Sequence, residues 1–272
     1  MIIVLLASLS FSGDCISQQL PKNHGSLATK LFLSQDDNHS LIVAFGGSEG
    51  GNTFASEQTS DVREGFLKRG FHFLAVSYFG TRGLPKTIDR ISLDAIYDTI
   101  VKTSEQLDIS TNNVILLGSS RGGELVLNLA SNFEFKGVIA LVPANITVPS
   151  LQNKKPTSSW ILNQKQIEFI NIDEKILKRE GWLNAIEKSL AIQEKASAAF
   201  IKVENIQGFV LLTSGKADKL WPSYQMCNAM IERMEKNNFN FPYAHIAFEG
   251  GHTPATHWSE VFAFLDKHLK NK

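Results

Sequence analysis

The stretch that most constrains this chain is Val114-Ile-Leu-Leu-Gly-Ser-Ser120-Arg-Gly-Gly123-Glu-Leu-Val-Leu-Asn-Leu-Ala130. An apolar run ends at Gly118, a turn of Gly and Ser follows, and an amphipathic run of good helix formers begins, which predicts a buried strand, a sharp elbow and a helix. Gly118-Ser119-Ser120-Arg121-Gly122 fits the spacing G-x-S-x-G, in which the central serine sits on a strained strand-to-helix turn with its hydroxyl pointing away from the sheet. Glycine suits both flanks because helix and strand crowd together there and a Cβ would clash. The register selects Ser120 over Ser119. The helix that follows starts with N–H groups that lack intrahelical partners and carry the positive end of its dipole, so the N–H of Arg121 can face a developing oxyanion. The same spacing also occurs in ordinary β–α turns, and it is the flanking strand and helix that give it weight.

Around this unit the pattern alternates. Asp61 to Arg69 reads as a helix stopped by Gly70, Phe71 to Tyr78 as a strand, and Ser92 to Leu107 as a helix with Leu93, Ile96, Ile100 and Leu107 on one face. Gly137 to Val142, Gly208 to Thr213 and Tyr243 to Phe248 are further strands, with a helix from Ser223 to Asn237. A last helix carries the stripe Trp258, Val261, Phe262, Leu265 and Leu269. Such alternation predicts right-handed crossovers and an α/β architecture with a mostly parallel central sheet flanked by helices. Leu27 to Leu33 and Leu41 to Phe45, joined by the turn-rich Ser34–Ser40, read as an antiparallel hairpin.

The alternation breaks between about residues 149 and 206. This stretch is longer, more polar and helix-like, with Leu183, Ile186 and Leu190 on one face and Trp160 and Trp182 as anchors. It is expected to be a helical cap insertion within a single domain spanning residues 27–272, although a plain surface extension has the same composition. Residues 1–26 are read as an N-terminal segment, either a signal peptide or a first strand. Its apolar part, Met1 to Leu9, followed by Ser10 and Ser12, fits either a short secretory signal or a first strand, and is too short to span a bilayer. The first alternative implies export and the second a cytoplasmic protein.

The 272 residues include 27 basic and 27 acidic side chains. A net charge of zero argues against any action that depends on a whole-molecule field, nonspecific nucleic-acid binding among them. Cys15 and Cys227 stand far apart, and the seven histidines show no metal-like spacing, so no disulfide framework, metal or other cofactor is expected. Stable membrane insertion is not expected either.

Gly46-Gly47-Ser48-Glu49-Gly50-Gly51 follows an apolar strand but has neither the Lys-Ser/Thr ending of a P-loop nor a G-x-G-x-x-G fingerprint. Given the elbow further on, it is expected to be an oxyanion loop, with the N–H of Gly47 or Ser48 as donor. A serine hydroxyl is a poor nucleophile at neutral pH and needs a base, itself oriented by a carboxylate. Asp218 falls after the penultimate strand and His252 after the last. The order Ser120, Asp218, His252 is that of the α/β-hydrolase fold. Asp218 has a competing use as a turn or cap residue before the helix that follows Pro222. His257 is a competing base, although it falls at a helix start whereas Gly250 and Gly251 leave His252 room to approach the serine.

Several segments together resemble the C-terminal catalytic domain of the acyl-CoA thioesterase and bile acid-CoA:amino acid N-acyltransferase (BAAT) family. They are Phe45-Gly-Gly-Ser-Glu-Gly-Gly51, Ser77-Tyr-Phe-Gly80 with Gly83-Leu-Pro-Lys-Thr87, Gly118-Ser-Ser-Arg-Gly-Gly-Glu124, Val203-Glu-Asn-Ile-Gln-Gly208 leading to Asp218-Lys-Leu-Trp-Pro222, and His252. The Leu-Pro-Lys segment is the more specific marker, and the sequence supplies no mechanistic role for it. The resemblance implies a Ser or Cys nucleophile, a His base and an Asp orienter, which map onto Ser120, His252 and Asp218. It implies a small-molecule acyl thioester or ester as substrate. Ser120 stands where the N-acyltransferase members use Cys, which tilts the expectation toward hydrolysis. Arg121 stands where many relatives have Lys, and the β-sandwich domain of larger members is not expected in this sequence. A carboxylesterase, a peptidase or an inactive binding protein of the same fold are the rival expectations.

Overall fold

A computed structural model describes residues 19–36, 38–150, 152, 155–191, 198–253 and 258–269. The apolar N-terminal run and His257 lie outside the described residues. Within them, one sheet is built from β1 (Ala28–Phe32), β2 (Ser40–Phe45), β3 (Phe71–Ser77), β4 (Val114–Ser119), β5 (Gly137–Leu141), β6 (Phe209–Gly215) and β7 (Tyr243–Phe248). The spatial order is β1-β3-β2-β4-β5-β6-β7. All pairings are parallel except that of β1 with β3.

Every residue of β2, β3 and β4 is buried, as expected of interior strands covered on both faces. Alternate residues feed two cores. Leu41, Val43 and Phe45 face one side, where α2 (Leu93–Gln106), α3 (Arg121–Ala130) and α5 (Ser223–Lys236) pack. Ile42 and Ala44 face the other, where α1 (Ser60–Leu67) and α6 (Trp258–Leu269) supply Phe66, Val261 and Leu265. Local signals set the helix ends: the Ser92 hydroxyl accepts the Ala95 N–H at 3.1 Å to cap α2, and Gly70 (φ 86°) turns the chain from α1 into β3. Phe264 joins the expected α6 stripe as a buried residue.

The expected hairpin of β1 and β2 does not form. β1 pairs with β3, with Leu31 opposite Leu74, and β3 takes the seat between them. The cause is burial: four of the five β1 residues are exposed, which suits an edge strand, whereas β2 and β3 are apolar on both faces and need neighbours on both sides. The connecting turn is held onto the α1–β3 corner, where the Ser34 hydroxyl donates to Leu67 O at 2.7 Å and Asn38 N–H to Gly70 O at 3.0 Å.

The interrupting stretch is helical only in its second half. It begins with short strands: Pro149–Ser150 pairs antiparallel with Thr157–Ser158, and Trp160–Leu162 pairs antiparallel with Lys165–Gln166 and parallel with Ile91–Ser92. Its helical part, α4 (Glu174–Ala191), is broken at Gly181, whose φ of 82° no continuous helix admits. Trp160 is wholly buried in the main core, and Ile186 packs with Val148, Ile170 and Trp221 in a third cluster. Among the described residues no helix is long and apolar enough to cross a membrane.

Candidate active site

Ser120 sits at the β4–α3 elbow with φ 55° and ψ −115°, a conformation that costs a non-glycine residue on the order of 1–3 kcal/mol. The surroundings hold it there. Ser120 N–H donates to Leu141 O at 2.8 Å, and Ser120 O accepts the Glu124 N–H at 3.1 Å. The flanking glycines are there for space: a Cβ on Gly118 would lie 2.0 Å from Gly122 O, and one on Gly122 would lie 2.4 Å from Gly46 O. Ser119 ends β4, so the hydroxyl turned out of the sheet is that of Ser120.

His252 Nε2 lies 2.8 Å from Ser120 Oγ, and its Nδ1 lies 2.7 Å from Asp218 Oδ2. Crossing loops bring the last two together. Ala217 N–H donates to Gly250 O at 2.8 Å, and a Cβ on Gly215 would meet Gly251 O at 2.2 Å. Gly215 is thus a site-building residue that strand and helix patterns do not flag. Of the competing structural uses weighed for Asp218, the turn is the one seen: Oδ1 accepts the Leu220 N–H at 2.9 Å and organises its own loop, while the helix after Pro222 has no side-chain cap. Burial pushes its carboxyl upward, but the His252 ring and the loop amides outweigh that and hold it below the ordinary carboxylate range. Trp221 packs edge-on to the imidazole at 4.7 Å, and its indole N–H donates to Val142 O at 3.1 Å.

The loop after β2 lies against the elbow. The N–H of Gly47, one of the two alternatives for the loop's oxyanion donor, donates to Glu49 Oε1 at 2.9 Å. The Ser48 N–H has no protein acceptor among the described residues. The Tyr78 hydroxyl donates to Gly46 O at 3.0 Å, Gly51 N–H to Phe79 O at 3.1 Å and Gly80 N–H to Pro85 O at 2.8 Å. The Ser77-Tyr-Phe-Gly80 segment therefore holds this loop, and Pro85 of the Leu-Pro-Lys segment holds Gly80 in turn.

The Arg121 side chain is buried. It donates to Glu124 Oε2 at 2.5 Å, to Val148 O at 3.1 Å and to the Ser159 hydroxyl. Glu124, wholly buried, also accepts the Trp160 indole N–H at 2.7 Å and the Val148 N–H at 3.1 Å. Burial pushes its carboxyl up to about 7, with the Arg121 guanidinium and these donors pulling the other way. Sequence alone marks Glu124 only as the end of a resembling segment and gives it no role, although its i, i+3 spacing from Arg121 on α3 is a signal of pairing.

A cavity of about 590 Å³ opens beside the elbow. Ser48, Glu49, Arg121, Trp182, Leu220 and Trp221 are among the residues that line it. A second serine–histidine contact, Ser214 Oγ to His245 Nε2 at 2.6 Å with Asn228 Oδ1 on Nδ1 at 2.9 Å, has the same atom pattern. Ser214 is wholly buried within β6, so that pair is structural.

A family model described as BAAT / acyl-CoA thioester hydrolase C terminal matches residues 99–254. Human acyl-coenzyme A thioesterase 1 is 25% identical over 190 residues, covering 68% of this chain and 43% of the relative. Human acyl-coenzyme A thioesterase 6 is 24% identical over 235 residues, covering 85% and 53%. The chain thus spans about half the length of the curated relatives it matches. Among solved structures, a monoacylglycerol lipase from Paleococcus ferrophilus superposes with a TM-score of 0.55 at 18% identity, over 91% of this chain and all of that one. A Bacillus cereus carboxylesterase gives 0.53 at 12%, over 90% and 94%. These likenesses show the α/β-hydrolase fold. The family match covers more than half of the sequence, from the helix before the elbow to just past His252, and on that ground the chain belongs to the BAAT / acyl-CoA thioester hydrolase C-terminal family.

Proposed function

We propose that this chain is a serine hydrolase that cleaves an acyl thioester through an acyl-enzyme. The observation that carries the proposal is the unbroken line Asp218 Oδ2, His252, Ser120 Oγ, with contacts of 2.7 and 2.8 Å. That spacing lets His252 Nε2 take the serine proton as Ser120 Oγ attacks the acyl carbonyl carbon. Asp218 holds the proton on Nδ1 and offsets the charge of the imidazolium. The N–H groups of Ser48 and Arg121 receive the oxyanion, each donor worth about 3 kcal/mol in the transition state. Collapse breaks the carbon–sulfur bond, and the leaving thiolate takes the proton from His252. Water then attacks the ester on Ser120 with His252 as base again, releasing the carboxylic acid and restoring the serine.

The thioester assignment draws on the family and on the names of the human relatives. Serine as nucleophile favours transfer to water, because a serine ester is captured by amines less readily than a thioester. Residues 27–272 act as one domain, and the stretch from 149 to 206 serves as the cap of the cavity, with Trp182 on its wall.

The test is thiol release from a series of acyl-CoA substrates beside aryl esters of matched chain length, with Ser120→Ala as the blank. Thioester cleavage that disappears in the variant supports the proposal. Cleavage confined to the aryl esters moves the substrate to oxygen esters, and activity retained in pure Ser120→Ala protein removes Ser120 from the mechanism.

A further inference from the structure

We propose that Glu49 is a positioning residue of the oxyanion loop: its carboxylate, exposed on the cavity wall, engages the Gly47 N–H so that the next N–H, that of Ser48, is the one presented to the substrate oxygen. The inference rests on Ser120 being the nucleophile. It begins with a count of donors. Gly47 and Ser48 offer consecutive N–H groups, and the first is held at 2.9 Å by Glu49 Oε1, two residues ahead of it in the chain. The same oxygen accepts the Thr53 hydroxyl at 2.5 Å, which fixes the carboxylate from behind.

The surroundings make this contact a built feature. Gly50 and Gly51, with φ of 70° and 74°, turn the chain after Glu49. A Cβ on Gly47 would lie 2.8 Å from Glu49 Oε2 and 3.1 Å from the Ser120 Cβ, so carboxylate, loop backbone and nucleophile stack directly on one another. A Cβ on Gly46 would meet Thr53 Oγ1 at 2.3 Å. On its other side the loop is held by the Tyr78 hydroxyl on Gly46 O and by the Gly51 N–H on Phe79 O. Glu49 thus joins these two contacts in holding the loop, and it brings a carboxylate where they bring a hydroxyl and a backbone carbonyl.

That charge is chemically awkward. A carboxylate close to a developing oxyanion repels it, so the favourable part of Glu49 is its acceptor oxygen. Glutamine keeps an acceptor for Gly47 and Thr53 without the charge, whereas alanine removes both. The two substitutions therefore separate a clamp from a group that acts by its charge, and both separate from a residue that merely stabilises the fold.

The experiment measures kcat and KM for an acyl-CoA thioester, together with the affinity of an acyl trifluoromethyl ketone that forms a tetrahedral adduct, on wild type, Glu49→Gln and Glu49→Ala. Displacing the loop should cost less than deleting a donor outright, so Glu49→Ala is expected to lower kcat by about 10- to 100-fold with KM changed less than about twofold, and to weaken the ketone in parallel. Glu49→Gln should keep kcat at or above that of wild type. Should Glu49→Ala fail to fold, Thr53→Val releases the same carboxylate and should lower kcat by a few fold with KM unchanged. The proposal is overturned if Glu49→Gln is as impaired as Glu49→Ala, if KM rises while kcat holds, or if ketone affinity does not follow kcat. Fluorophosphonate labelling run in parallel separates the two claims. Wild-type protein that does not label at Ser120 defeats the nucleophile assignment, whereas normal labelling with an unimpaired Glu49→Ala defeats the role of Glu49 alone.

Discussion

The Glu124 carboxylate and the Arg121 guanidinium meet at 2.5 Å one turn apart on α3, with Glu124 wholly buried and 7% of the Arg121 side chain exposed. Through Val148, Ser159 and Trp160 the pair fastens the β4–α3 elbow to the inserted stretch. Removing Glu124 leaves the buried Arg121 charge with neutral acceptors but no counter-ion, so Glu124→Ala should lose about 3–5 kcal/mol of unfolding free energy in urea denaturation. Glu124→Gln keeps an acceptor for the indole and should lose less.

The same carboxyl makes stability depend on pH. Its folded pKa is raised from 4.5 to about 7 by burial, so the folded state binds the proton more tightly. The resulting stabilisation is full below about pH 4.5 and is lost as pH rises through 7. His245, whose pKa burial lowers, works in the opposite direction over part of this range. The difference in unfolding free energy between wild type and Glu124→Gln isolates the Glu124 contribution, and it should fall between pH 5 and pH 8. A flat difference would show that Arg121 fully compensates the burial.

Strain at the elbow gives a prediction of opposite sign to most substitutions at a functional residue. Ser120 holds φ 55° and ψ −115°, where only glycine is at ease. Ser120→Gly and Ser120→Ala both remove the hydroxyl, but glycine alone relieves the backbone. Even after the greater chain entropy of glycine is subtracted, Ser120→Gly should exceed Ser120→Ala by about 1 kcal/mol in unfolding free energy. Equal stabilities in a denaturant titration would mean that the elbow relaxes when the serine is removed.

Asp218→Asn tests the orienting role without disturbing packing. An amide that presents its N–H to His252 favours the tautomer with no proton on Nδ1, leaving Nε2 unable to accept the serine proton, and kcat should fall by about 10⁴-fold in a protein that still folds. Because the Asp218 carboxyl is held below its ordinary value, it adds stability above the normal carboxylate range, and that is lost as pH falls through its folded pKa. The acid limb of the wild-type stability curve should therefore be shallower in Asp218→Asn.

What the sequence made legible was whatever depends on near neighbours. The elbow, its helix, and the strands before Asp218 and His252 all follow from period and punctuation within about 20 residues. The place of β1 was lost because a polar turn between two strands signals a hairpin, while the decisive fact was that β3, some 40 residues away, needed the seat. Contacts such as Gly215 with Gly251, or Glu124 with Trp160, join distant segments through single atoms and leave no periodic trace. The Glu49 contact spans only two residues, yet it depends on backbone angles at Gly50 and Gly51 that a glycine pair permits without dictating.

Trp221 offers the last test, because it connects the imidazole to a strained neighbour. Its ring meets His252 edge-on at 4.7 Å, while its N–H donates to the carbonyl of Val142, a β-branched residue at φ 43°. Trp221→Phe keeps an aromatic edge against His252 but leaves that carbonyl without its indole donor. It should therefore lose about 1–3 kcal/mol of stability with kcat reduced only a few fold. Trp221→Ala also removes the wall that holds the imidazole between Asp218 and Ser120. Misplacement of a catalytic group by about 1 Å can cost 10²-fold, so kcat should fall by about 10- to 100-fold, well beyond the Phe variant. If both variants lose kcat equally, the indole hydrogen bond, rather than the packed ring, is what keeps His252 in line.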